Sequence, residues 1–414
     1  MLTQEFEQDL HEVIQEYVQE VTGGLRKVCT SKITPIIDRL SETIEKKGTV
    51  FAFGNGGSHS EADAFLYELE QQVGDKFVFN TVGGPGGNEI LDTKNEQLFE
   101  HTLKRRGREG DAALLVTASG DSVNILRASE LCKQIGIRTI SISANGRIAN
   151  TLAAEPNYPI VIPMGDQQKL EEVTLGILVI LAKQVGLKLA GKKETIEESR
   201  ENYLTSINSE ASRVITPQLL TNIVEGIILA FRNRGIIRID ATSGVLKAPA
   251  EHMAHNLIWD ARDETKEIWS NIVLSGLSDC HMTGVGNDGG CGYNCALDLL
   301  ENGREGDVEI LLATNLRSVK TQSLIRAARK QGVSVHSLCF DPEDKLATVG
   351  VAQIFAHLTG RLTNTRLLVE QGVIEPDKAK NWMRTHDLAL LRKKQETIKK
   401  LQKTFGESRR RSAR

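Results

Sequence analysis

A chain of 414 residues exceeds what one ordinary hydrophobic core uses and predicts two domains. Its composition, 40% hydrophobic and 25% charged with a net charge of −3, is that of a soluble globular protein and excludes a global field directed at nucleic acid or an anionic membrane. The longest apolar stretch, Leu175 to Ala182, falls far short of the roughly 20 residues of a membrane span, and six scattered cysteines without a secretory segment predict free thiols in a cytoplasmic protein.

In chain order, Leu2, Phe6, Leu10, Val13, Ile14, Tyr17, Val18 and Val21 recur at helical spacing among acidic residues and predict an amphipathic N-terminal helix. Ile33-Thr34-Pro35 then opens a helix, Thr49 to Phe53 reads as a strand, and Gly54-Asn55-Gly56-Gly57-Ser58-His59-Ser60 leads into a helix from about Glu61. Gly107-Arg108-Glu109-Gly110-Asp111 precedes the strand Ala112 to Val116, the turn Thr117-Ala118-Ser119-Gly120-Asp121-Ser122 and another helix. The strand Arg138 to Ile142 follows. The charged segment Ala190 to Ser212 predicts a connecting helix. After it the order returns: Ile215-Thr216-Pro217, the strand Ile236 to Ile239, an unchanged Gly303-Arg304-Glu305-Gly306-Asp307, and strands Val308 to Leu312 and Val333 to Leu338. The end, from Arg392 to Arg414, is basic but carries no aromatic stacking platform, so it reads as a solvated tail and not as a nucleic-acid arm.

This alternation specifies βαβ units. The expected architecture is α/β: a first domain over 1–189, a connector over 190–212, a divergent second copy over 213–375 and a tail over 376–414. Each copy is expected as a three-layer αβα domain with a mostly parallel, flavodoxin-like sheet, whose ligands sit at the carboxyl ends of the strands. There, Gly56 and Gly57 let the backbone fold tightly before a helix whose N-terminal end attracts an anion. Thr117, Ser119 and Ser122 would add hydroxyls around a phosphate, the competing reading being ordinary structural turns and a Ser N-cap.

The ordered combination Gly54-Asn55-Gly56-Gly57-Ser58-His59-x-x-Ala62-x-x-Phe65-x-x-Glu68-Leu69, Gly107 to Asp111 and Thr117-x-Ser119-Gly120-x-Ser122-x-Asn124 resembles the sugar isomerase (SIS) domain, specifically phosphoheptose isomerase. The resemblance implies tandem SIS domains in which Ser58, Thr117, Ser119 and Ser122 hold the phosphate and Asn55 lies beside the sugar. It implies a ketose/aldose phosphate isomerase acting on sedoheptulose 7-phosphate or a related sugar through an enediol, with Glu68 as base. Family members assemble as tetramers, so a homo-oligomer, as a dimer of tandem chains, is expected.

The chain also departs from the family. Ala64 and Val179 stand where the family carries histidines able to bind zinc or move protons, so with those ligands missing from the first half no metal or other cofactor is expected. The second half resembles the family at Ser278-Asp279 and at Val285-Gly286-Asn287-Asp288-x-Gly290, where Asp279 and Asp288 would contact sugar hydroxyls. Its phosphate loops have become Ala241-Thr242-Ser243-Gly244-Val245-Leu246-Lys247 and Ala313-Thr314-Asn315-Leu316-Arg317-Ser318. It keeps a family histidine, His252, with Asn256 where the base would be, so the two unlike halves are expected to build one composite site with Glu68 and His252 as its catalytic pair. A non-catalytic phosphosugar sensor and a structural pseudoenzyme are the alternatives.

Overall fold

The computed structural model describes residues 4–74, 78–81, 98–120, 122–144, 158–242, 246–261, 272–273, 294–340, 345–370, 374–375 and 378–385. Two helices come first, α1 (Gln4–Arg26) and α2 (Thr30–Glu45), followed by β1 (Thr49–Phe53), α3 (Gly57–Val73) and β2 (Val78–Thr81). Then come α4 (Leu98–Arg106), β3 (Ala112–Thr117), α5 (Val123–Ile135), β4 (Arg138–Ser143), β5 (Tyr158–Val161) and the long α6 (Gln167–Leu189). The helix α7 (Ile196–Val214) leads to α8 (Pro217–Arg232), β6 (Ile237–Ala241), α9 (Lys247–Ala261), β7 (Ile272–Val273) and α10 (Asn294–Asn302). The described chain closes with β8 (Val308–Ala313), α11 (Val319–Lys330), β9 (Ser334–Cys339), α12 (Lys345–Glu370) and α13 (Ala379–Thr385).

All described strand pairs are parallel. The first sheet has the order β2-β1-β3-β4-β5 and the second β7-β6-β8-β9, so the same winding occurs twice. In each, the chain enters in the middle and strands are added on either side. That puts a crevice at the carboxyl ends of the two inner strands, β1 with β3 and β6 with β8, where doubly wound sheets bind ligands.

Both sheets share one core. The faces formed by Val50, Ala52, Leu114 and Val116 and by Ile237, Ile239, Val308 and Ile310 belong to a single apolar cluster, continuous through α1, α3, α6, α9 and α12. The run Leu175 to Ala182 lies inside α6 and is buried all round, which explains its uninterrupted hydrophobicity. No single helix among the described residues is long and apolar enough to cross a membrane.

The repeated Gly-Arg-Glu-Gly-Asp turn is a bracket at the entry ends of the strands. Asp111 accepts from the backbone N–H of Thr49 at 2.8 Å and of Arg108 at 2.8 Å, and Asp307 accepts from those of Ile236 at 2.7 Å and Arg304 at 3.0 Å. Its survival in both halves therefore reflects a structural role shared by both.

Two local expectations differ from the structure. The second Ile-Thr-Pro opens a helix, with Thr216 as cap and Pro217 in the first turn, but Pro35 lies inside α2, which begins a turn earlier at Thr30. The turn from Cys29, whose carbonyl takes the N–H of Lys32, supplies the extra start. The helix expected from about Glu61 begins at Gly57, so the glycine loop itself forms the helix's first turn.

Candidate functional site

The crevice of the first sheet is made by the loops after β1 and β3. Gly56 takes φ 53°, a left-handed value that favours glycine, and turns the chain directly into α3. The side chains of Asn55 and Asn124 exchange two hydrogen bonds, Asn55 Nδ2 to Asn124 Oδ1 at 3.0 Å and Asn124 Nδ2 to Asn55 Oδ1 at 2.8 Å, tying the two loops together. Thr117 Oγ1 lies 3.3 Å from Ser122 Oγ and accepts from the N–H of Gly120 at 3.2 Å. Ser58 is buried in the first turn of α3 and Ser119 is exposed at the loop tip. Hydroxyls and two helix starts, α3 and α5, thus converge on one crevice.

The second half closes this cradle. A side chain at Gly57 would place its Cβ 2.7 Å from His252 Cε1 and 2.9 Å from Glu171 Oε2, so only a hydrogen lets the cradle helix approach them. His252 on α9, His357 on α12 and Glu171 on α6 form a fully buried group. His252 Nε2 is 2.7 Å from His357 Nε2, and Glu171 Oε2 lies 3.4 Å from the first and 3.2 Å from the second. Behind it, His357 Nδ1 donates to Glu172 Oε1 at 2.6 Å, with the Tyr17 hydroxyl 3.3 Å away. Two cations approach the Tyr17 ring, Lys169 at 5.5 Å and Arg361 at 4.9 Å from its centroid.

The electrostatics of the group follow from burial and pairing. Burial pushes the Glu171 carboxyl up, but hydrogen bonds from both imidazoles outweigh it and hold the group well below the usual carboxylate range. Burial pushes Glu172 up to about 7 against the opposing pull of His357. His357 is lowered by burial, but the two carboxylates raise it to about 9, which makes it an imidazolium at neutral pH. Glu61, in the second turn of α3, is wholly buried, and burial together with Glu171 and Glu172 pushes its carboxyl well up.

Two imidazoles and a carboxylate are also a donor set that suits a catalytic zinc ion with three protein ligands. The three ligand atoms lie within 4.8 Å of one another. Two nitrogens on one tetrahedral zinc stand about 3.3 Å apart, so occupancy requires the two Nε2 atoms, now 2.7 Å apart, to separate slightly. With that small adjustment the residues fit such an ion.

Glu68 is placed elsewhere. It lies eleven residues beyond Gly57 on α3, roughly 16 Å along the helix axis, so within the chain it does not meet the cradle that opens its own helix. It lines a cleft of about 100 Å³ with Asp63, Ala64 and Tyr67 of α3, Lys247, Ala248 and Glu251 of α9, and Val349 of α12. Glu251 of one half and Glu68 of the other do share a cavity, but His252 faces the first-half cradle while Glu68 faces the start of α9. Asn256, one turn beyond His252, is buried.

In the second half the loops are joined by hydroxyls: Thr321 Oγ1 lies 3.3 Å from Thr242 Oγ1 and 2.9 Å from Ser318 Oγ. Asp279 and Asp288 lie outside the described residues. A larger cleft, about 580 Å³, lies elsewhere, between α1, α2 and the end of β5, and contains none of these groups.

Sequence reading missed Glu61, Glu171, Glu172, His357 and Tyr17. A signal existed for His357. By the alignment of α6 with α12, it occupies the place of Val179, so the second half carries both histidines that the first half has lost.

Comparison with known proteins agrees with this architecture. Residues 15–144 match the family model of the SIS domain. Phosphoheptose isomerase of Geotalea daltonii is 27% identical over 185 residues, covering 42% of this chain and 93% of the relative. That of Helicobacter pylori is 26% identical over 159 residues, 37% of this chain and 82% of the relative. Among solved structures, glucosamine-6-phosphate deaminase of Thermotoga maritima superimposes with a TM-score of 0.52 at 14% identity, over 89% of this chain and 97% of that one. Tagatose-6-phosphate ketose/aldose isomerase of Escherichia coli gives 0.50 at 13% identity, over 85% and 92%. The first half thus matches a SIS domain, and the fold shared with these two solved structures runs through both halves.

Proposed function

We propose that the chain is a sugar-phosphate isomerase that builds one composite site from both halves. The observation that carries this reading is the contact at Gly57, where the anion cradle of one half meets His252 of the other and Glu171. The phosphate end of a ketose or aldose phosphate sits on the N-termini of α3 and α5 among Ser58, Thr117, Ser119 and Ser122, and its carbonyl end extends toward the buried group. The relatives named phosphoheptose isomerase favour a seven-carbon sugar such as sedoheptulose 7-phosphate.

Isomerisation through an enediol moves a proton between adjacent carbons and needs an acid at the carbonyl oxygen and a base at the carbon. The imidazolium of His357, held by Glu172 and Glu171, supplies the acid. His252 is the base in this arrangement, in place of Glu68, taking the proton at Nδ1 because its Nε2 is engaged by His357 and Glu171. A divalent ion held by Glu171, His252 and His357 would polarise the same carbonyl oxygen as a Lewis acid.

The test uses the full chain, a panel of C5 to C7 ketose phosphates and solvent deuterium exchange at the sugar carbons followed by NMR. Exchange is expected, His252→Ala is expected to reduce it by about 10²–10⁴, and Glu68→Gln is expected to leave it within a few-fold. Loss of exchange in Glu68→Gln with His252→Ala unaffected would reverse the assignment. The rival reading, a phosphosugar sensor, rests on Asn256 standing where the family has its base; binding without exchange would establish it. If no sugar phosphate raises the melting temperature, the cradle itself is not a phosphate site.

A further inference from the structure

The α3–α9 cleft is the counterpart, under the duplication, of the junction that holds His252, His357 and Glu171. There the corresponding positions are Ala64, Val179 and Val349, and the chemistry of those three has been removed. What replaces it is a row of ionisable side chains along two helices: His59, Asp63, Tyr67 and Glu68 on α3, opposite Lys247 and Glu251 on α9. From α12 the lining residue is the apolar Val349.

Asp63 is the least accommodated of them. Its Oδ1 is sealed from solvent without a hydrogen-bond partner, and its Oδ2 lies 3.5 Å from His59 Nε2. Burial, partly offset by Glu251, lowers the affinity of His59 for a proton, so this imidazole does not supply a compensating charge at neutral pH. Lys247 is the cation that acts on Asp63, but it also approaches Glu251 Oε1 at 3.9 Å. The Asp63 side chain is 30% exposed to the cleft but its sealed Oδ1 has no partner, so an ionised Asp63 gains most by widening the cleft until water reaches that oxygen.

The geometry links this seam to the cradle. Glu251, on the seam, is followed directly by His252, against Gly57, and Asp63 lies less than two turns from Gly57 on the same helix. Each helix is a hydrogen-bonded rod, so a change in the spacing of α3 and α9 at the cleft is carried along both to the contact of Gly57 with His252.

We propose that the α3–α9 seam is a proton-operated coupling between the halves. With Asp63 neutral the two helices close and hold His252 against the cradle; ionisation of Asp63 opens the seam and withdraws His252. The proposal rests on the composite site described above. It adds regulation to that site: the affinity for the anionic end of the ligand follows the protonation of a residue that does not touch it. Burial, against the pull of Lys247, pushes the Asp63 carboxyl up to about 7, which places the transition in the neutral range.

The experiment follows the Gly57 backbone amide by NMR in the full chain from pH 5.5 to 8.5, in the wild type, Asp63→Asn and Lys247→Met, with and without sulfate. Sulfate serves as probe because its charge is constant over that range. The wild-type amide is expected to shift with a midpoint near 7. Asp63→Asn is expected to remove that component, and Lys247→Met to move it to higher pH. Sulfate is expected to bind several-fold more tightly at pH 6 than at pH 8 in the wild type and equally at both in Asp63→Asn. An identical Gly57 titration in wild type and Asp63→Asn overturns the coupling, whatever sulfate does. A coupled titration with no sulfate binding at any pH keeps the coupling and removes the anion cradle instead.

Discussion

Gly57 is the residue on which the two halves meet. Its φ is ordinary, so a larger residue there is opposed by space and not by backbone strain: a methyl would press on His252 Cε1 and Glu171 Oε2. Gly57→Ala is expected to destabilise the chain by about 1–3 kcal/mol, and to displace the His252 ring signals in an NMR spectrum. A substitution that leaves those signals in place would mean that the contact is looser than the structure shows. The cradle was legible in the sequence because its residues are adjacent in the chain and their spacing expresses the turn. His252 was legible only through the second half's resemblance to the family. Glu171, His252 and His357 come from three helices more than 80 residues apart, and no local pattern joins them. Glu68 was found by its motif but assigned to the wrong neighbourhood within the chain, because a motif preserves spacing and does not show that eleven helical residues carry a side chain three turns from the loop.

At the scale of elements, the strongest sequence signal was the repeated Gly-Arg-Glu-Gly-Asp, and it belongs to the scaffold. Each aspartate satisfies two backbone donors, one at or next to the start of an inner strand and one in the turn that precedes its neighbour. Replacing either leaves two part-buried N–H groups without an acceptor. Asp111→Ala and Asp307→Ala are each expected to cost about 2–4 kcal/mol, measured by urea unfolding. A loss in one and not the other would show that the bracket works differently in the two halves. Six of the nine described strands were readable because short, nearly continuous apolar runs at helix-length separations specify a parallel sheet, whereas β2, β5 and β7 gave no such run. The start of α3 was not, since Gly57 to Ser60, which read in sequence as the end of the glycine loop, here form the first helical turn.

Across the whole molecule the halves differ most on the outer face of each sheet. In the first, Phe51, Phe53 and Phe99 stack, with ring centroids 6.0 and 4.9 Å apart. In the second, the matching strand and helix positions hold Arg238, Asp240 and Cys295, with Glu309 fully buried beside them. Arg238 Nη1 donates to Asp298 Oδ2 at 2.6 Å, and burial with the neighbouring Asp240 pushes the Glu309 carboxyl well up. Breaking such a buried pair costs more than the pair contributes. Arg238→Met is expected to lose about 3–5 kcal/mol and, in calorimetry, to split unfolding into two transitions, the second half melting first; one unsplit transition would show that the shared core keeps the halves cooperative.

The single covalent link between the copies has a consequence for how such a site can change. In a symmetric pair of identical chains every substitution appears at both junctions at once, so a histidine cannot be kept at one and discarded at the other. Here Ala64 and His252, and likewise Val179 and His357, are alternatives at equivalent positions held simultaneously. Fusion has freed the two junctions to evolve as separate traits under one gene.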